Sequence, residues 1–192
     1  MPKSLVMRAT LAAIFLALVL VPSAGAYTVL GGRWHTTTIT YFNEVPAYNW
    51  SVDTAAYAWN SSGAHVRFLK SSRRNAKVLL GVQWFTPAGD ARPLIRNGRI
   101  SSAKVGIRNG LDRYTMALVV AHELGHVLGL GHETHLCATM NPALDVDHPE
   151  LCPPPPHGMW VCRLLRDDDV RGAVKLYGGT VRPWRGSDFC PR

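Results

Sequence analysis

The segment His122-Glu-Leu-Gly-His-Val-Leu-Gly-Leu-Gly-His132 carries side chains whose types and spacing can do chemistry. Two histidines four apart on a helix present their imidazoles from successive turns, so His122 and His126 can reach one ion. Zinc suits imidazole ligands, and a catalytic zinc keeps one coordination position open for water. A third ligand is needed, and His132 lies six residues beyond His126. A continuing helix would carry it about 240° around the axis, to the wrong side. The chain must therefore leave the helix and turn back, which Gly129 permits. Glu123 adjoins His122 and points toward the same cleft. There it can take the proton of a zinc-bound water and deliver it to a leaving amine. The spacing predicts one catalytic Zn2+ on His122, His126 and His132, with Glu123 as general base. His35, His65, His135, His148 and His157 are left out, since a lone histidine is more often a surface residue than a ligand.

The elements that must position these groups are legible in outline. Arg113 to Leu130 has no internal proline, and Gly129 and Gly131 mark its end, so it reads as a long helix. At about 100° per residue, Val120, Ala121, Leu124 and Leu128 share an apolar side, while His122, Glu123 and His126 fall on the other. His35 to Phe42 alternates and is rich in β-formers, which predicts a strand. Ser51 is the expected N-cap of a helix ending near Ser62-Gly63. Val66 to Leu69, Lys77 to Trp84 and Ile100 to Ile107 read as further strands. Pro87 to Gly98, with two prolines and two glycines, reads as a loop. The run Pro153 to Pro156 predicts a rigid, extended loop. Asp167, Asp168 and Asp169 then open a last helix stopped by Gly178-Gly179. The pattern is that of an α/β (α+β) domain with a strand-rich N-terminal part, a long central helix and a loop-rich C-terminal part.

Compartment and partners follow from the rest of the 192 residues. Lys3 and Arg8 precede an apolar run from Ala9 to Val21, and Ala24-Gly25-Ala26 supplies a small-x-small cleavage site. That run is shorter than the roughly 20 residues a spanning helix needs. A signal peptide over 1–26 is expected, with the mature chain starting near Tyr27, secreted and with no membrane partner once the signal is removed. A 47% hydrophobic and 18% charged composition is that of a globular chain. The net charge of +8 is read as solubility. The densest basic stretch, Arg67 to Lys77, lacks the run of interleaved aromatics of a nucleic-acid platform, so no nucleic acid partner is expected. The acidic triplet lacks the spaced ligands of a calcium loop; structural Ca2+ is possible but not predicted. Four cysteines in an exported chain read as two disulfides. Three pairings are open; Cys137–Cys162 with Cys152–Cys190 is preferred, because the second would fasten the tail 181–192 to a domain spanning 27–180.

The pattern HExxHxxGxxH resembles that of the metzincin zinc peptidases. Cys137-Ala-Thr-Met140-Asn-Pro142 resembles the Met-turn of the matrixins, the matrix metalloproteinase-like branch. Asp168-Asp-Val-Arg-Gly-Ala-Val-Lys-Leu-Tyr-Gly178 is similar to the matrixin C-terminal helix. Glu133, directly after the third histidine, resembles the astacin group instead, but the tyrosine that astacins place after the Met-turn is missing. No prodomain cysteine precedes the domain, so latency by a cysteine switch is not expected. The resemblance implies a twisted, mostly parallel sheet with an antiparallel edge strand, a long active-site helix and a small loop-rich C-terminal subdomain. It also implies that the edge strand pairs with an extended substrate, for which Ala103, Lys104, Val105, Gly106 and Ile107 are the candidates. Asn141 and Pro142 are expected to wall the S1′ pocket. The implied function is a monomeric, secreted zinc endopeptidase acting on extracellular proteins or peptides. The alternatives are a non-catalytic zinc-binding or adhesion module of the same fold, or a zinc amidase of cell-wall peptides.

Overall fold

A computed structural model describes residues 27–84, 87–142 and 164–182. The expected leader, and Cys152, Cys162 and Cys190, lie outside the described residues. Within them the strands are β1 (Thr38–Asn43), β2 (Arg67–Lys70), β3 (Val78–Gln83), β4 (Gly89–Arg96) and β5 (Arg99–Arg108). The helices are α1 (Asn49–Ser61), α2 (Arg113–Leu128) and α3 (Asp167–Tyr177).

The strands form one sheet in the order β2-β1-β3-β5-β4. β1 pairs in parallel with β2 and β3, and β3 in parallel with β5, while β4 runs antiparallel to β5. This is the mostly parallel sheet with an antiparallel edge strand that the resemblance implied. Alternation sends Ile39, Tyr41, Val78, Leu80, Val105 and Ile107 to one buried face. There they meet Val52, Ala55 and Trp59 of α1 and Met116, Val120, Leu124 and Leu128 of α2 in one core. Burial of each larger side chain contributes roughly 1.5–3 kcal/mol. α1 starts at Asn49, two residues before the expected cap. Ser51 instead donates its hydroxyl to the Arg113 carbonyl and ties α1 to the start of α2.

The edge strand corrects the sequence expectation. Ala103, Lys104, Val105, Gly106 and Ile107 lie on β5, which is enclosed between β3 and β4 and has no free edge. The edge on that side is β4, built from the stretch that Pro87, Gly89, Pro93 and Gly98 had marked as a loop. Asn97 and Gly98 both have positive φ, 49° and 71°, the two-residue hairpin turn that matches strand twist. An Asn-Gly pair between two half-apolar runs was the signal that outranked the prolines. Pro93 is tolerated for a geometric reason. Arg108 donates to the Ala88 carbonyl at 2.8 Å, so in this register the even residues of β4 bond to β5 and Ala91 faces away from it. Two residues on, the Pro93 nitrogen faces the same free side, so no ladder bond is lost.

α3 fastens the loops that surround α2. Its Tyr177 hydroxyl donates to the Leu128 carbonyl (2.6 Å), one of those left unpaired at the end of α2, and accepts from the Trp34 backbone (3.2 Å). At its other end, Asp169 accepts from the backbone N–H of its own N-cap Arg166 (2.7 Å) and reaches out to those of Thr139 (2.9 Å) and Met140 (3.1 Å). The acidic triplet thus does more than meet the helix dipole, since its third member clamps a distant turn.

Two stability predictions follow from these staples. Tyr177→Phe should cost about 1–3 kcal/mol, read as a lower denaturant midpoint; an unchanged midpoint would show that the hydroxyl holds nothing. Burial pushes the Tyr177 phenol up to about 12. Its contribution is therefore whole below about pH 10, the unfolded tyrosine value, and fades as pH rises through about 12. Asp169→Asn should cost about 2 kcal/mol or more. Both carboxylate oxygens face N–H donors, so either orientation of the amide sets an NH2 group against one. Wild-type stability in thermal melts of that variant would rule out the clamp.

Candidate metal centre

The site begins at the N-terminus of α2. Asp112 caps the helix by accepting from the backbone N–H groups of Tyr114 (2.9 Å) and Thr115 (3.1 Å). Its carboxyl is held below the usual range, first by the Thr115 hydroxyl. Three turns on, His122 and His126 stand on one face, with ring centroids 4.7 Å apart. At Gly129 the chain takes the left-handed conformation, φ 98°, where a β-carbon would also lie 2.1 Å from the Gly32 carbonyl oxygen. The helix stops there, as the sequence required, and the chain returns His132 to within 5.3 Å of His122 and 4.8 Å of His126, centroid to centroid.

Sequence reasoning missed what holds this return. Val29 bridges Leu130 in antiparallel fashion, Gly131 donates to the Thr28 carbonyl, and the Thr28 hydroxyl donates to the His132 carbonyl at 2.6 Å. The segment just after the expected leader is therefore part of the frame of the third histidine.

One potential ligand atom from each histidine lies within 4.8 Å of the others, an arrangement that could hold a metal ion. The ring orientations are set from behind. His122 Nδ1 bonds the Thr139 carbonyl at 2.7 Å, and His126 Nδ1 bonds the Leu130 carbonyl at 2.8 Å. A carbonyl only accepts, so each Nδ1 carries the proton and each Nε2 presents its lone pair. His126 Nε2 and His132 Nε2 converge to 3.1 Å. Burial, with the neighbouring imidazoles adding to it, depresses His122 to about 4. Burial likewise lowers His126 and His132. All three are thus neutral near pH 7, the ligand form of imidazole. Three neutral imidazoles, two of them anchored from behind, are a donor set that fits Zn2+.

Glu123 is buried between α2 and β4, 4% exposed. A β-carbon on Gly89 would lie 2.3 Å from its Oε1, so the edge strand passes over the carboxyl only because residue 89 is glycine. Burial, then the negative charge of Asp90, raises its pKa to about 8, against an Ala91 backbone hydrogen bond that lowers it. Its Oε2 is buried without a hydrogen-bond partner among the described residues. A carboxyl in that state exchanges protons readily near neutral pH.

Met140 is 2% exposed and packs against α2 at Gly125, between the first two histidines. A β-carbon on Gly125 would lie 2.2 Å from the Met140 sulfur. The Asn141 side chain is bound within its own loop. Its amide donates to the Glu133 and Leu136 carbonyls and accepts from Ala138, closing its own loop. Pro142 is exposed and ends that described stretch. Glu133 completes the loop: its carboxylate accepts from the His135 and Leu136 backbones, and its own N–H donates to the Met140 carbonyl. The sequence had offered Glu133 only as a subgroup marker. Cys137 precedes the Met140 turn, and the other three cysteines lie outside the described residues.

Comparison with known proteins places this geometry in a family. The matrixin family profile matches residues 47–178. Metalloendoproteinase 5-MMP of Arabidopsis thaliana is 34% identical over 91 residues, 47% of this chain and 21% of that protein. Matrix metalloproteinase-9 of Canis lupus familiaris is 30% identical over 167 residues, 80% of this chain and 20% of that protein. Matrix metalloproteinase-20 of Homo sapiens is 26% identical over 184 residues, 82% of this chain and 35% of that protein. The chain thus spans about a fifth to a third of the length of these relatives. The match takes in α1, most of the sheet, all three histidines, the Met140 turn and α3: this chain belongs to the matrixin family.

Proposed function

We propose that the protein is a secreted zinc endopeptidase, with residues 27–180 as its catalytic domain and proteins or peptides as substrates. The observation that carries this reading is the convergence of three neutral imidazoles, two of them anchored from behind, beside a buried carboxyl. His122, His126 and His132 would hold the metal. A zinc ion there would polarise the substrate carbonyl and acidify a water. Glu123, in its ionised form, accepts the proton of the attacking water and passes it to the leaving amine; burial raises the proton affinity of that carboxylate. Met140 forms the apolar floor behind the ligands. β4, rather than β5, takes an extended substrate along its free edge by main-chain pairing. Pro142 borders the S1′ side. Membership of a family whose named relatives are metalloproteinases supports the same reading. Disulfide bonding of Cys137 would agree with an oxidising compartment; the proposed pairing remains Cys137–Cys162 with Cys152–Cys190.

Two variants test the reading. Glu123→Ala should retain one zinc per chain by atomic absorption while kcat/KM on a peptide library falls by about 100-fold or more. Cleavage equal to the parent would remove Glu123 from the mechanism. Gly89→Ala should push the carboxyl aside, lowering kcat by about 100-fold with zinc content unchanged; an unaltered kcat would show that the position of Glu123 is not set by β4.

A further inference from the structure

The β4–β5 hairpin is charged in a way that its own folding does not explain. Residues 89–108 hold Arg92, Arg96, Arg99, Lys104 and Arg108 against one acid, Asp90. In register, Arg92 lies directly opposite Lys104, and Arg96 directly opposite Arg99. Like charges facing across antiparallel strands are destabilising. Asp90 pairs with Arg92 from the same strand and leaves the other cations of the hairpin without an acid on it. The Arg92 side chain is nonetheless 80% exposed.

The cations alternate along β4, because the register shift between Leu94 and Ile95 leaves its extra residue, Ser101, on β5. Along β4, Arg92, Leu94 and Arg96 are exposed, while Gly89 is buried and Ala91, Pro93 and Ile95 are partly covered. The exposed three therefore share one face of the edge strand, with cations on either side of a leucine. No described strand lies beyond β4. A strand added there would sit roughly 4.8 Å away, with every second side chain on the same face. Those side chains would stand about 4.5–5.5 Å from the β-carbons of Arg92, Leu94 and Arg96.

We infer that β4 selects its substrate by charge: Arg92 and Arg96 bind acidic side chains, and Leu94 an apolar one between them. The preferred peptide then reads acidic–x–apolar–x–acidic in the strand it adds to the sheet. This rests on the reading of β4 as the substrate edge and names the class of substrate for it. Asp90 sets the limit of the acidic preference, because an acidic side chain facing it would be repelled. Both arginines act on binding and not on the chemical step, so the preference belongs in KM.

The test uses peptides of repeating Glu-Thr-Leu-Thr and Gln-Thr-Leu-Thr, whose period makes the register of binding immaterial. Anisotropy titrations on the zinc-loaded Glu123→Ala chain read binding without turnover. The acidic repeat should bind about fivefold more tightly than the neutral one, the size that two exposed ion pairs give together. That advantage should shrink at high salt. In the Arg92→Glu/Arg96→Glu variant it should vanish, and a Lys-Thr-Leu-Thr repeat should become the better ligand. Wild-type kcat/KM should follow the same order through KM. Equal binding of the two repeats, or a preference that survives the charge reversal, would overturn the inference. So would a sulfated polysaccharide that binds as tightly as the acidic peptide and is lost with the same two arginines, since the surface would then serve polyanions. Charge-selective binding without hydrolysis by the wild type would refute the peptidase reading and leave this one standing. Hydrolysis blind to charge would do the reverse.

Discussion

The two hydrogen bonds from His122 to the Thr139 carbonyl and from His126 to the Leu130 carbonyl are the constraint on which the rest of the site depends. A helix can place two imidazoles on one face, but it cannot choose which nitrogen of each ring looks forward. That choice is made by the acceptor behind the ring. Both acceptors lie outside α2, on stretches with no regular structure of their own, and each stretch has to be held to a fraction of an ångström. Much of the architecture around α2 answers to that demand. The Leu130 carbonyl is held by Gly129 and by the bridge to Val29. The Thr139 carbonyl is held by Asp169, which binds Thr139 and Met140 from the first turn of α3.

Seen this way, the loop from Glu133 to Asn141 is a small piece of rigid structure. Glu133 through Oε1, and Asn141 through both ends of its amide, bond the backbone of this loop, and both residues are buried. Loop carbonyls and amides under cover of protein must find partners, and two side chains supply them. Stiffness there is transmitted to both sides of the site: through the Glu133 backbone to His132, and through Met140 to the back of α2 at Gly125. The carboxyl of Glu123 depends on a different neighbour. It is trapped beneath β4, where burial and Asp90 raise its proton affinity. The edge strand therefore sets the character of the proposed base and also supplies the surface along which a peptide would lie.

How much of this could be read beforehand differs element by element. α2 was legible because its signals are local: the apolar repeat, the absence of proline and the glycine stop all lie within a few residues of what they control. The return of His132 followed from helix geometry alone. β4 was misread because two prolines and two glycines within the stretch outweighed one Asn-Gly turn signal. Whether a proline is tolerated in a strand depends on which side its nitrogen faces, a property of the sheet and not of the stretch. The Asn141 amide shows a related limit, since a short amide can face a cleft or its own backbone, and composition does not distinguish them.

By itself, then, the sequence determined the trio of histidines, the acid beside them, the helix that carries them and the family they mark, because each rests on short-range periodicity and steric rules. Tertiary structure alone decided which strand forms the free edge, which carbonyls orient the imidazoles and which distant side chains brace them. Strand order and long-range hydrogen bonds depend on how whole elements settle against a shared core. No spacing along the chain records that Asp169 meets Thr139, or that Arg92 faces Lys104, until the sheet and helices have packed.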